Sequence, residues 1–343
     1  MAPLLDALTG DPEIADLFAP EAEIAALLRV EAALAEAQGA LGTIDPAAAA
    51  RIGAAVRAFT PDEAALRRGL SRDGVVIPEL VRQLRGAAGE AGPSVHQGAT
   101  SQDVIDTGLM LRLQGLLGLL GARTDAVLTE IARLCAEEGD RPLMAQTRMQ
   151  AALPFTVADK LATWARPLRS HRERLGELAR SLPIQLGGPI GNGGSFGPSY
   201  EALRADMATR LGLRDAAPWH SDRTPILDIA QGLALLSGTL GKIGQDLALM
   251  AQSEVGAVKL SGGGGSSAMA HKQNPVGAEV LVTLARLNAG LLGTLSQSMV
   301  HENERSGAAW TLEWMVLPAM AEATGAATRH AHALLLGLHF RES

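Results

Sequence analysis

The chain is 343 residues long, 47% apolar and only 3% aromatic, with a formal net charge of −7 and one cysteine, Cys135. That length and apolar share allow a sizeable core, in two domains or one elongated one. The acidic balance argues against a general binder of nucleic acid or of an anionic membrane surface. A single cysteine excludes an intramolecular disulfide and fits a reducing cytoplasm. Strand-forming β-branched and aromatic residues are scarce, so an almost entirely helical, all-α protein is expected.

The opening MAPLLDALTGDPE lacks the basic and apolar regions of a signal peptide, and no apolar run reads as long and charge-free enough to cross a membrane. Residues 1–93 read as short helices broken by Pro and Gly. Residues 21–39 form an amphipathic helix with Ile24, Leu27, Leu28, Ala32 and Leu34 on or near one face. Pro61-Asp62-Glu63 and Pro78-Glu79 read as helix starts. The stretch GEAGPS (89–94) is a break. It divides a small N-terminal helical domain, 1–93, from a long-helix domain, 94–343.

Beyond the break, a helix is expected from Ser101 or Asp103 to about Glu138, and others over 154–182, 225–260, 276–301 and 314–338, the last with Pro318 inside it. The third carries Ile226, Ile229, Leu233, Leu236, Leu240, Ile243, Leu247, Met250 and Val258 at helical spacing, and would be roughly 50 Å long. Helices apolar on several faces need more cover than one small domain provides. A long bundle shared between subunits is therefore expected. Two glycine-rich loops interrupt it, GGPIGNGGSFGPS (187–199) and GGGGSSAMAHKQNP (262–275).

The second loop fits a flexible connector and fits a mobile catalytic loop. A serine on such a loop closes over a substrate and excludes water. Its hydroxyl needs a stabilised alkoxide to act as a base, and His271, Lys272 and backbone N–H groups could supply that. It is not a phosphate-binding P-loop, because the Gly-Lys-Ser/Thr ending is missing. In VHQGATSQDVIDT (95–107), Thr100-Ser101-x-Asp103 is first of all a helix cap. Helix N-termini also bind anions, and with His96 nearby Thr100 and Ser101 suit a carboxylate. In AQTRMQAALPFT (145–156), Arg148 is either an exposed charge or a bidentate carboxylate partner. HENERSGAAWTLEW (301–314) sets Glu302, Glu304 and Arg305 beside Trp310 and Trp314, as a solvated face or as a cleft wall.

Together these stretches resemble the fumarase/aspartase superfamily, whose signature Gly-Ser-Ser-x-Met-Pro-x-Lys-x-Asn-Pro stands here as Gly265-Ser266-Ser267-Ala268-Met269-Ala270-His271-Lys272-Gln273-Asn274-Pro275. Only Ala270 departs from it. Within the superfamily, the 96–107 stretch, Pro218-Trp219-His220 with Arg223, and Glu302 to Ser306 followed by Trp310 and Glu313-Trp314 resemble the cycloisomerase branch. Those are enzymes that lactonize a carboxylated muconate in aromatic-compound breakdown. Adenylosuccinate lyase shares much of the loop and the His-x-Gly-x-Thr-Ser stretch, so a fumarate-releasing lyase is the rival reading. A non-enzymatic helical scaffold is a third.

The resemblance implies an elongated bundle, assembled as a homotetramer whose active sites are shared between subunits. It also implies a small polycarboxylate substrate, and neither metal nor cofactor. Ser266 would move the proton, with Lys272 and His96 supporting the chemistry. Thr100, Ser101, Gln150, Asn274 and Arg305 would bind the substrate. Arg148 replaces the histidine that superfamily lyases use as a general acid. A guanidinium keeps its proton near neutral pH, so Arg148 would hold a carboxylate instead. The smaller third domain of the family would be absent or vestigial.

Overall fold

The computed structural model describes residues 4–261, 264, 265, 269 and 272–341. Short helices α1 (Asp6–Thr9) and α2 (Pro12–Asp16) lead into α3 (Pro20–Ala40), α4 (Pro46–Ala58), α5 (Glu63–Asp73) and α6 (Ile77–Ala87). Their starts follow capping chemistry. Asp11, Asp45 and Asp62 accept backbone N–H groups at the beginnings of α2, α4 and α5, and Pro opens α2, α3 and α4. The GEAGPS break is a 3-10 turn, Gly89–Ser94.

The long elements come next: α7 (Ser101–Glu138), the hairpin β1 (Pro142–Thr147) and β2 (Gln150–Thr156), α8 (Val157–Ser181), α9 (Tyr200–Leu211) and α10 (Thr224–Met250). Then follow β3 (Val258–Leu260), β4 (Gly264–Gly265), β5 (Gln273–Asn274), α11 (Val276–Leu295), α12 (Gly307–Leu336) and β6 (Leu338–Phe340). The fold is helical apart from three two-stranded ladders among the described residues, β1–β2, β3–β6 and β4–β5. At 38 residues, α7 is about 57 Å long.

In the bundle, α10 packs on α8, α11 and α12, while α7 packs on α3, α8 and α12. One continuous apolar core runs from Ile14 to Phe340. Helices α10 and α11 approach closely through Gly244: a Cβ there would lie 2.6 Å from both Ala278 O and Leu281 Cβ. Asn288 Nδ2 sits in that core and donates to Ser237 Oγ at 3.1 Å, Thr324 Oγ1 at 2.9 Å and Met320 O at 3.3 Å. A buried polar group needs such partners, so Asn288 fixes the register of α10, α11 and α12.

Several boundaries differ from the sequence expectation. Helix α8 starts at Val157, not Pro154, because residues 150–156 pair with 142–147 and Thr156 and Asp159 cap each other reciprocally. Helix α10 stops at Met250, whose carbonyl accepts from Ala257 N at 2.9 Å, and Val258–Leu260 then pairs with Leu338–Phe340. Its 27 residues span about 40 Å rather than 50 Å. Helix α11 gives way to a 3-10 turn, Ser296–Met299, and α12 begins at Gly307, where Ser306 Oγ accepts from Ala309 N.

The expectation that no segment is apolar enough to cross a membrane is corrected. Windows in Ser101–Glu138, Thr224–Met250 and Val276–Met299 all meet that length and composition, with 67%, 56% and 28% of the window buried. Helices buried on most sides of a bundle have the composition of membrane spans, so composition does not separate the two cases. The third window is covered least within the single chain.

Candidate active site

The N-terminus of α7 is the centre of the site. Thr100 is extended (φ −127°, ψ 164°) and starts the helix, its N–H donating to Asp103 Oδ2 at 3.0 Å. The buried Asp103 carboxylate also accepts from Gly187 N at 2.7 Å, Gly188 N at 2.9 Å and Gln185 Nε2 at 3.5 Å, and it lies 3.2 Å from His220 Nε2. It thus pins the first glycine-rich loop over the helix start. Gly188 has φ +70°, and a Cβ there would lie 2.2 Å from Ser195 Oγ, so only glycine fits. Ser195 Oγ closes the other side by donating to Gly98 O at 2.6 Å. The side chains of Thr100 and Ser101 are half-buried beside this loop, at the positive end of a long helix dipole.

One turn further in, a buried ion network anchors the site. Arg223, 0% exposed, donates to Glu313 from Nε (2.9 Å) and Nη2 (2.7 Å), and to Asp106 from Nη1 (2.7 Å) and Nη2 (3.2 Å). Trp310 Nε1 donates to Asp106 Oδ1 at 3.0 Å. Burial works against the Arg223 charge, but Asp106 and Glu313 outweigh it and hold its pKa above the ordinary value. Burial raises the Glu313 pKa against the pull of Arg223. His301, beside Glu313, is lowered by burial and by the Arg223 charge.

Gln102 carries this network outward. Its Nε2 donates to Asp106 Oδ2 at 3.1 Å and to His220 O at 2.8 Å, while its Oε1 accepts from Arg305 Nε at 2.8 Å. Arg305 Nη2 donates to Pro189 O at 3.2 Å. His96, at φ +62°, lies on the near side, with Nδ1 2.6 Å from Glu31 Oε1 on α3. Burial lowers the His96 pKa, but the charge and hydrogen bond of Glu31 overcome that and raise it above 6.5.

One chain therefore gathers His96, Thr100, Ser101 and Arg305. The other expected site residues lie apart. Arg148 and Gln150 are exposed at the β1–β2 turn, where Arg148 (φ +48°) and Met149 (φ +65°) form a two-residue loop between Thr147 and Gln150. Positive φ at both loop residues is the mark of a type I′ turn. Lys272 is exposed, and Asn274 pairs with Gly264 at the base of the second glycine-rich loop. Ser266 lies outside the described residues. Among the described residues, no hydrogen bond or ion pair joins Arg148, Gln150, Lys272 or Asn274 to the α7 site. No group of three or more His, Cys, Asp or Glu is placed to hold a metal ion among those residues.

Sequence reading did not assign Glu31, Gln102, Asp103, Asp106 or Glu313 to the site, and used His220 and Arg223 only as marks of resemblance. A signal was present. Gln102, Asp103 and Asp106 are polar residues within one turn at the start of an otherwise apolar helix, and Glu31 stands within the apolar stretch 24–37.

These features define a helical-bundle enzyme with a polar, ion-anchored cleft at a helix start, and the chain belongs to the lyase family of the fumarase/aspartase superfamily, matching it over residues 27–288. It is 37% identical over 344 residues to the 3-carboxy-cis,cis-muconate cycloisomerase of Pseudomonas aeruginosa, covering 98% of this chain and 75% of that protein. The crystal structure of 3-carboxy-cis,cis-muconate lactonizing enzyme from Pseudomonas putida superposes with a TM-score of 0.91 at 35% identity, over 99% of this chain and 77% of that one. An N-acetyl-S-(2-succino)cysteine lyase of Enterococcus italicus is 33% identical over 338 residues, 96% of this chain and 74% of that protein.

Proposed function

We propose that this chain is a cofactor-independent cycloisomerase that closes 3-carboxy-cis,cis-muconate to a carboxymuconolactone, a step in aromatic-compound catabolism. The observation that carries this is the α7 site, where Thr100, Ser101 and Arg305 surround a helix N-terminus in a chain whose relatives include such cycloisomerases. A carboxylate oxygen of the substrate bonds to the β carbon of a carbon–carbon double bond. The π electrons move onto the neighbouring carboxylate as an aci-carboxylate dianion, which collapses when a proton arrives at the α carbon. Preorganised cations and N–H donors stabilise that dianion.

In this reading Ser266 moves the proton, and Lys272 and Asn274 hold the carboxylate that gains charge. Thr100, Ser101 and Arg305 hold another, and Arg148 and Gln150 a third part of the substrate. His96, oriented by Glu31, is a proton-transfer partner. Arg305 spends two of its five N–H donors on Gln102 and Pro189, which leaves three for substrate.

The three groups of residues come together when subunits associate, so the working form is a homotetramer in the cytoplasm. Exposed apolar residues along the bundle support association: Leu235 is 41% exposed, Leu287 40% and Met315 71%. The test is ultraviolet absorbance of 3-carboxy-cis,cis-muconate with purified protein. Lactonization shortens the conjugated diene, so absorbance falls, and Ser266→Ala abolishes the fall. Normal turnover by Ser266→Ala would sink the assignment.

The second reading is elimination from a succinyl thioether, favoured by the similarity to the succinocysteine lyase. It uses the same α-proton chemistry in the opposite direction. Turnover of N-acetyl-S-(2-succino)cysteine without turnover of the muconate would select it.

A further inference from the structure

A cavity of about 350 Å³ opens between α3, α5, α7 and α12, one or more turns along α7 from the site above. That volume is within the range of ordinary small-molecule sites. Ile24, Leu27, Leu66, Ile105, Leu109 and Leu317 make its walls apolar. Two other lining residues carry buried donors without an acceptor, Arg112 at Nε and Trp314 at Nε1. Among the described residues, Arg112 makes no hydrogen bond and no ion pair; its guanidinium lies over the Phe18 ring, 5.6 Å from the centroid. The neighbouring indole, Trp310, packs against Trp314 at a tilt of 58° and spends its N–H on Asp106, so the two rings differ in this respect.

A buried guanidinium N–H and a buried indole N–H, each without an acceptor, are costly in a folded protein. Burial lowers the Arg112 pKa, and Glu23 opposes that without contacting it. An arginine nevertheless stays protonated. The other charges around the cavity balance. Glu313 is held by Arg223, and the exposed Arg67 stands on the same α5 face as the exposed Glu63. Glu23 alone faces Arg112 from α3. One ligand oxygen pair would satisfy both orphan donors, and an apolar body would fill the rest.

We infer that this cavity binds a small apolar carboxylate, its oxygens on Arg112 and Trp314 and its hydrocarbon among the α3, α5, α7 and α12 side chains. The site is separate from the α7 N-terminus, although it shares Glu313 with the network that anchors it.

Octanoate is the probe, with octanamide as its neutral counterpart, each titrated by calorimetry into the full-length protein. Octanoate binds saturably, and octanamide binds at least tenfold more weakly. Arg112→Met weakens octanoate at least tenfold and leaves turnover of the muconate unchanged, while Arg305→Met leaves octanoate binding unchanged. A thermal melt of Arg112→Met beside the titration shows that the variant is folded, so the comparison stands. Equal binding of acid and amide, or undiminished binding by Arg112→Met, overturns the proposal. So does absence of binding accompanied by a changed oligomeric state in Arg112→Met, which would mean that a neighbouring subunit fills the cavity.

Discussion

Arg305 Nε donates to Gln102 Oε1 at 2.8 Å, joining two residues 203 positions apart. The segment before α12 is thereby locked to the first turn of α7, and the guanidinium is aimed before any substrate arrives. Preorganisation of this kind reduces the reorganisation needed at the moment of reaction. Replacing Arg305 with Met removes the cation and keeps much of the stem. We expect kcat/KM for the muconate to fall by at least about tenfold, about 1.4 kcal/mol of transition-state stabilisation. Unfolding temperature should barely move, since Arg305 is only partly buried. Steady-state kinetics beside a thermal melt separates the two effects.

The Arg223 network should behave in the opposite way. Arg223→Met leaves Asp106 and Glu313 buried and facing each other without a cation. Breaking a buried pair on one side costs about 3–5 kcal/mol, and this loss should be read in urea unfolding. Replacing Asp106 and Glu313 with Leu in the same chain should recover most of it. A single Arg223→Met variant as stable as the parent would show that the network is not holding the site.

The His96–Glu31 pair gives stability a pH signature. The folded-state pKa of His96 is raised above 6.5. Its contribution is therefore complete below the unfolded pKa and is lost as pH rises through the folded value. Glu31→Gln should lower the unfolding temperature more at about pH 5.5 than at about pH 9. The alkaline or acid limb of the activity profile that reports His96 should shift down in the same variant. Equal destabilisation at both pH values would mean that His96 does not change charge between them in the folded protein.

The β1–β2 turn holds two non-glycine residues at positive φ, Arg148 at +48° and Met149 at +65°. Met149 is 74% exposed, so little packing offsets the strain within one chain. Met149→Gly should stabilise the protein by about 1 kcal/mol, measured by denaturant unfolding. Arg148→Asn should keep the turn, because Asn accepts this conformation and suits a type I′ loop. It should also lower turnover, because the cation is gone.

Much of the architecture was legible in the residues. Scarce strand formers and long runs of apolar residues at helical spacing specify long helices wherever they fold, and of the two starts the sequence offered for α7, Ser101 and Asp103, the structure takes Ser101. The first glycine-rich loop was equally plain, because few other residues adopt the positive φ of Gly188, Gly191, Gly193 and Gly197. The signature around Ser266 to Asn274 placed the chain in its superfamily. Less legible were the ends of α8 and α10, since Pro154 and Val258–Leu260 are recruited into ladders by partners close by and far away in the chain.

What the sequence by itself determined was thus the helices and the loops, set by local spacing and residue type, and the superfamily, through the resemblance of its signature. Only the tertiary structure decided which polar residues act together. Asp103 became the anchor of the 187–195 loop, Arg223 the link between Asp106 and Glu313, and Glu31 the partner of His96. Each pairing spans at least 65 positions, and its strength comes from burial that neither residue has alone. A carboxylate in water is unremarkable in its spacing; excluded from water, it must find its donor, and that donor is chosen by packing.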